Sequence, residues 1–91
     1  MPEDLDAAID RARRDLAQRL KLNKDEIALG SADPVDFPDA GLGAAIEDEM
    51  SAQVITPGWR ITLKGNGKTF EYRASGRQLR LVNFNGENYR I

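Results

Sequence analysis

The sequence predicts an α+β fold in which one N-terminal amphipathic helix packs on an antiparallel sheet of about four strands. Three observations carry that prediction. Leu5, Ile9, Ala12, Leu16 and Leu20 recur at the spacing that lines one face of a helix. "WRITLKGNGKTFEYRA", residues 59–74, alternates apolar and polar residues on both sides of Asn66-Gly67, the dipeptide preferred in two-residue hairpin turns. The same alternation continues past Ser75-Gly76-Arg77-Gln78 and past Asn85-Gly86, which are further hairpin signals.

Taken in order, residues 4–21 form the helix. Asp4 and Asp6 lie at its start and Arg19 and Lys21 in its last turn, each favourable against the helix dipole, and Asn23 is the expected stop. Arg11, Arg13 and Arg14 read as a solvated face laced by Asp10 and Asp15. Residues 27–32 form a short strand with Ile27 and Leu29 in alternation, ended by Asp33-Pro34. Residues 33–50 hold no period and read as an acidic loop, and a β-meander occupies 53–91. Pro57-Gly58 fits the two central positions of a type II turn. A two-residue turn at Asn66-Gly67 sets Leu63 against Phe70, Ile61 against Tyr72 and Trp59 against Ala74, so every apolar residue falls on one face. Counting across the next turn adds Ala74 against Leu79 and Tyr72 against Leu81 in a third strand, 79–84, and "ENYRI" makes a final short one.

Ninety-one residues make a single domain, 1–91. No apolar run approaches the ~20 residues that span a bilayer, and the start of the chain lacks the apolar block of a secretory signal, so a cytoplasmic, membrane-free protein is expected. The absence of Cys and His removes thiol nucleophiles, disulfides, histidine bases and most zinc or copper sites, so neither an enzyme nor a cofactor is expected. The net charge of -2 hides an asymmetry: residues 25–59 hold eight acids and no Lys or Arg, whereas 60–91 hold seven basic and two acidic residues.

The stretch "DFPDAGLGAAIEDEM", residues 36–50, invites a comparison with phosphate and metal loops. A dinucleotide fingerprint is contradicted by Ile46 where a third small residue belongs, by the lack of a preceding strand, and by acids that would repel an anion. A Ca²⁺ loop is chemically more compatible, but Asp33, Asp36 and Asp39 are spaced by three and the twelfth-position Glu is missing. Glu47 with Glu49 is a conceivable acid and base pair that nothing places in a cleft. A surface loop built on Pro34, Pro38, Gly41 and Gly43 is the simplest reading.

"FPDAGLG" followed by "QVITPGWRITLKGNGKTFEYRAS", after "ARRDLAQRL" and "DEIAL", resembles a family of small bacterial, often cyanobacterial, domains with a WPD-x-SLGCP, TPGYRI and YEYRT-like pattern. The resemblance covers residues 5–81, supports the fold and implies no activity. Phe37 stands where that pattern has Trp and Ala44 where it has Cys, so a disulfide suggested by the pattern is absent, which fits a reducing compartment and leaves the 33–50 loop untethered.

The register also gathers charge. Opposite the apolar face, Arg60 lies across from Arg73 and Arg73 across from Arg80, three like charges in one row that need something between them. Glu71, diagonal to the row, and the acidic loop folded over it are one resolution; an external anion, a carboxylate-rich partner or an RNA phosphate is the other. Tyr89 and Phe84 are the aromatics expected to face outward. The expected function is a non-enzymatic protein-binding or regulatory module, a monomer or weak homodimer, that contacts a protein through Arg60, Arg73, Arg80, Arg77, Asp36 and Asp39. Two alternatives remain: a cation site or carboxylate-dependent enzyme in residues 33–49, and anion or RNA binding at the arginine row, with nucleic acid disfavoured by a pI near 5.1.

Overall fold

A computed structural model describes residues 2–46 and 49–91, with side chains described from residue 5 onward. Helix α1 spans Pro2–Leu20. It is followed by a 3-10 turn, Lys24–Glu26, and by strands β1 (Ala28–Phe37), β2 (Thr56–Gly65), β3 (Lys68–Ser75), β4 (Gln78–Phe84) and β5 (Glu87–Arg90). The strands form one antiparallel sheet in sequence order, β1-β2-β3-β4-β5, so the sheet has five strands where about four were expected.

The helix and hairpin patterns fold as the periodicities require. Ala8, Ala12, Leu16 and Ala17 of α1 are buried with Ile61, Leu63, Tyr72, Ala74, Leu79 and Leu81 of the sheet. The pairings Trp59↔Ala74, Ile61↔Tyr72, Leu63↔Phe70, Tyr72↔Leu81 and Ala74↔Leu79 are those counted from the turns. Asn66-Gly67 and Asn85-Gly86 both take positive φ at each central position, the type I′ signature. At Gly76-Arg77 only the glycine does.

α1 ends earlier than Asn23. Lys21 takes φ 57, while the Leu22 N–H donates to the Ala17 carbonyl at 2.9 Å and the Lys21 N–H to Gln18 at 3.4 Å, the two bonds of a Schellman cap. Asn23 instead opens the 3-10 turn, its N–H donating to the Glu26 carboxylate at 2.8 Å.

Two expectations about the middle of the chain are corrected. The first strand runs through Asp33-Pro34 to Phe37, because β1 is an edge strand, and a residue without an N–H is tolerated where no further strand pairs. Pro57-Gly58 is not a turn. It lies inside β2, with Pro57 opposite Asp36 and Gly58 opposite Val35, and Gly58 is not among the positive-φ glycines. A Cβ on Gly58 would sit 2.1 Å from the Ala74 carbonyl oxygen, so close backbone approach is what requires glycine there.

Phe84 and Tyr89 also depart from their expected outward exposure. Both pack against the core, with their ring centroids 6.2 Å apart, and the Arg19 guanidinium lies 4.5 Å from the Tyr89 ring centre and 5.5 Å from that of Phe84. Asp15 ties this edge to the core by accepting from Arg19 Nε at 2.8 Å and from the buried Tyr72 hydroxyl at 2.7 Å. Burial, with the Asp15 hydrogen bond and charge, raises the Tyr72 phenol pKa far above its ordinary value, so the donor stays protonated at all physiological pH. Tyr72→Phe is expected to reduce unfolding free energy by about 1 kcal/mol, measured by urea denaturation with an unchanged slope.

Candidate functional site

The face of the sheet opposite α1 carries a row of charge that crosses every strand. Asp33 pairs with Arg60, Arg60 with Arg73, Arg73 with Arg80, and Arg80 with Arg90. The first three arginines are those the sequence register places together. Arg90 is a fourth that it misses, because β4 carries an irregularity between Leu81 and Phe84, where Asn83 takes φ 54.

Two carboxylates separate the like charges. Glu71 Oε2 accepts from Arg73 Nε at 2.6 Å and lies 3.4 Å from Arg60 Nε. Glu49, from the segment between β1 and β2, grips Arg80 in a fork with bonds of 2.5 and 2.6 Å, and its second oxygen lies 3.8 Å from Arg90 Nη1. Arg80 is only 3% exposed, and its remaining donors reach the Gln78 side-chain oxygen at 2.7 Å and the Ala44 carbonyl at 3.2 Å. The hydrogen bonds from Arg80 hold the Glu49 carboxyl down at about 2 against an opposing push from burial; the Ile46 N–H and the charges of Arg80 and Arg90 add to the lowering.

Residues 40–45 and Glu49 are thereby strapped over part of this face, which corrects the expectation of an untethered loop. Gln78 Nε2 donates to the Ala40 carbonyl, Arg73 Nη1 to Leu42 and Asn88 Nδ2 to Ala45, at 3.0, 2.8 and 3.0 Å. Phe37, Leu42 and Ala44 are buried outside the main core, and the Arg73 guanidinium lies 5.6 Å from the Phe37 ring centre. Asp39 shapes the bend by accepting from the Gly41 and Gly43 N–H groups at 2.8 and 3.0 Å, and Leu42 and Gly43 follow with φ of 60 and 64.

The remaining candidate residues are dispersed. Arg77 sits in the β3–β4 turn, where its carbonyl accepts from Arg11. Asp36 is exposed on β1 and, by strand alternation from Asp33, belongs to the helix side of the sheet. Asp39 is committed to the bend. Among the described residues no group of three or more acidic side chains is placed to hold a metal ion, and Glu47, the proposed partner of Glu49 in acid and base work, lies outside the described residues. A shallow concavity lined by Pro34, Pro57, Gly58, Trp59, Ala74, Ser75 and Gly76 carries no ionisable side chain.

The covering segment turns apolar side chains outward. Met50, Val54 and Ile55 are 98%, 58% and 71% exposed. Among the described residues no helix is long and apolar enough to cross a membrane.

A family profile described as a domain of unknown function, DUF8738, matches residues 9–82. That span runs from the middle of α1 into β4 and takes in the covering segment and three of the four arginines. Neither the curated proteins nor the solved structures contain a match.

Proposed function

The chain belongs to the DUF8738 family of domains of unknown function, and we propose that it is a non-enzymatic module that binds a protein partner through the outer surface of residues 38–55. The observation that carries this reading is the exposure of three apolar side chains, Met50, Val54 and Ile55, in the stretch that follows the residues pinned to the sheet, 40–45 and Glu49. Exposed apolar side chains close together in sequence favour association, and the anchoring of the residues just before them limits the conformational entropy lost on docking. Arg90, 63% exposed beside Glu49, supplies a charged rim of the kind that surrounds docking centres.

The alternatives have less support. An external anion at the arginine row has to displace Glu71 or Glu49, both already hydrogen-bonded to it. A cation in residues 33–49 competes with the Gly41 and Gly43 N–H groups for Asp39.

The double substitution Val54→Ser, Ile55→Ser tests the proposal, because exposed positions of this kind change stability by no more than about 0.5 kcal/mol each. Affinity purification from host extract with both forms side by side is expected to show a stoichiometric partner held by the wild type and lost from the variant. Identical partner sets at equal thermal stability would remove the reading.

A further inference from the structure

Arg11 is held at the seam between α1 and the sheet. Its guanidinium donates to the carbonyl of Arg77 at 2.8 Å and to that of Ile91 at 3.1 Å. Two carbonyls fix the side chain in place without balancing its charge. Arg14, Arg19, Arg60, Arg73, Arg80 and Arg90 each pair with a carboxylate, whereas among the described residues Arg11, Arg13 and Arg77 do not. Arg11 and Arg77 share one concavity of about 230 Å³, whose other lining residues are Ala7, Ala8 and Gly76.

That lining is small and supplies donors. Gly76-Arg77 is the two-residue β3–β4 turn, closed by the pair Ser75↔Gln78, and the N–H groups of both central residues have no main-chain acceptor among the described residues. A Cβ at Gly76 would meet nothing within 4 Å, so the approach to those amides is open. The described acids of α1 are engaged elsewhere or turned away. Asp15 accepts from Tyr72 and Arg19, and Asp10 from Arg14 and Lys24. Asp6 lies about 140° round the helix from Arg11. Guanidinium forks and amides together, with no described carboxylate between them, select an anion with several oxygens, and the planar fork matches the oxygen spacing of phosphate.

We propose that this concavity binds a phosphate group, free or esterified, held by the guanidinium groups of Arg11 and Arg77 and by the turn amides of Gly76 and Arg77. The site shares no residue with the arginine row or with residues 50–55, so it stands or falls separately from the partner surface.

The test titrates sodium phosphate into the full-length protein at fixed ionic strength while backbone amide shifts are followed, with sodium acetate and a capped phosphoserine in parallel. Saturable shifts are expected at Ala8, Gly76 and Arg77, half-complete in the low millimolar range (~5 mM, modest for so small a ligand). Acetate is expected to bind about tenfold more weakly, since it serves one fork only. Arg77→Gln keeps the carbonyl that Arg11 uses and lies at an exposed turn position. It is expected to weaken phosphate binding about tenfold, the scale of one lost charge-assisted bond, while Lys68→Gln, in another hairpin, leaves it unchanged. Tighter binding of the free ion or of the phosphoserine both support the site and decide between the two sources. No saturable shift up to ~50 mM phosphate, tenfold above the expected midpoint, equal response to phosphate and acetate, or wild-type affinity in Arg77→Gln would overturn the proposal.

Discussion

Glu49→Ala is expected to lower unfolding free energy at neutral pH by about 3 kcal/mol, because it leaves the Arg80 guanidinium buried without its counter-charge. The carbonyl of Ala44 and the amide of Gln78 still accept from Arg80, but neither carries charge. The loss has a ceiling. Once it exceeds the free energy of lifting residues 40–45 and Glu49 off the sheet, the segment opens and water solvates Arg80, so hydrogen exchange at residues 40–46 accelerates more than in the core strands. Glu49→Gln, which retains an acceptor, is expected to lose roughly half as much.

The same pair sets an acid dependence. Its folded pKa is depressed from an ordinary 4.5 to about 2, so the stabilisation is fully present above the unfolded value. It is lost as pH falls through the folded one, over the window from 4.5 to about 2. The size of that shift corresponds to roughly 3 kcal/mol, the same order as the alanine substitution. Urea denaturation at a series of pH values should show the wild type weakening through this window and the Gln variant weakening less. Parallel curves for the two proteins would mean that Glu49 is not the responsible group.

Gly58→Ala is expected to be at least as damaging, on the order of 3 kcal/mol or more, because its clash is with backbone. The added carbon would meet the Ala74 carbonyl oxygen at 2.1 Å, and Phe37 Cε2 and Ser75 Cβ at 3.1 Å. No rotamer relieves an overlap with a main-chain oxygen; β2 and β3 have to separate where Trp59 pairs with Ala74. Gly67→Ala is the control. Nothing lies within 4 Å of its Cβ position, so its loss is confined to the strain of φ 76, about 1 kcal/mol. Thermal melts that rank the two variants in the opposite order would contradict this account.

The sheet register was legible where a two-residue turn pins a hairpin and one face is buried, since a slip of one residue would turn Ile61, Leu63 and Tyr72 to the wrong side. That is why Arg60, Arg73 and Arg80 fall in one row both by counting and in the structure. Counting failed at Arg90. From the Asn85-Gly86 turn it sets Arg90 opposite Leu81, on the helix side, whereas the bulge at Asn83 moves it opposite Arg80. An asparagine inside an alternating strand was the available signal, and asparagine is among the few residues that take positive φ readily.

The strap across the second face was legible only as a possibility. Its length and acidity are in the sequence, but which carboxylate meets which arginine depends on a bend made by Asp39, Leu42 and Gly43 that no periodicity encodes. Gln78 and Asn88 escaped notice for the same reason: a side chain that binds a distant carbonyl has no sequence signature. Asp33-Pro34 and Pro57-Gly58 misled for a shared cause. Each lies where no further strand pairs on one side: Asp33-Pro34 on the outer edge of β1, and Pro57-Gly58 at the start of β2, before its pairing with β3 begins at Trp59, and residues that usually break structure are tolerated there.

That open side bears on how the protein behaves at high concentration. Fibrils and disordered aggregates grow when unsatisfied main-chain groups along a sheet rim recruit a neighbour. Here the longer rim is interrupted by an imide nitrogen at Pro34 between two exposed carboxylates, Asp33 and Asp36, and the other rim is a strand of four residues, Glu87–Arg90. The stretch of that rim before Pro34 is further broken by the bulge between Leu29 and Ser31, so neither rim offers a long, regular template for a neighbouring chain, and the exposed apolar side chains of residues 50–55 lie apart from both.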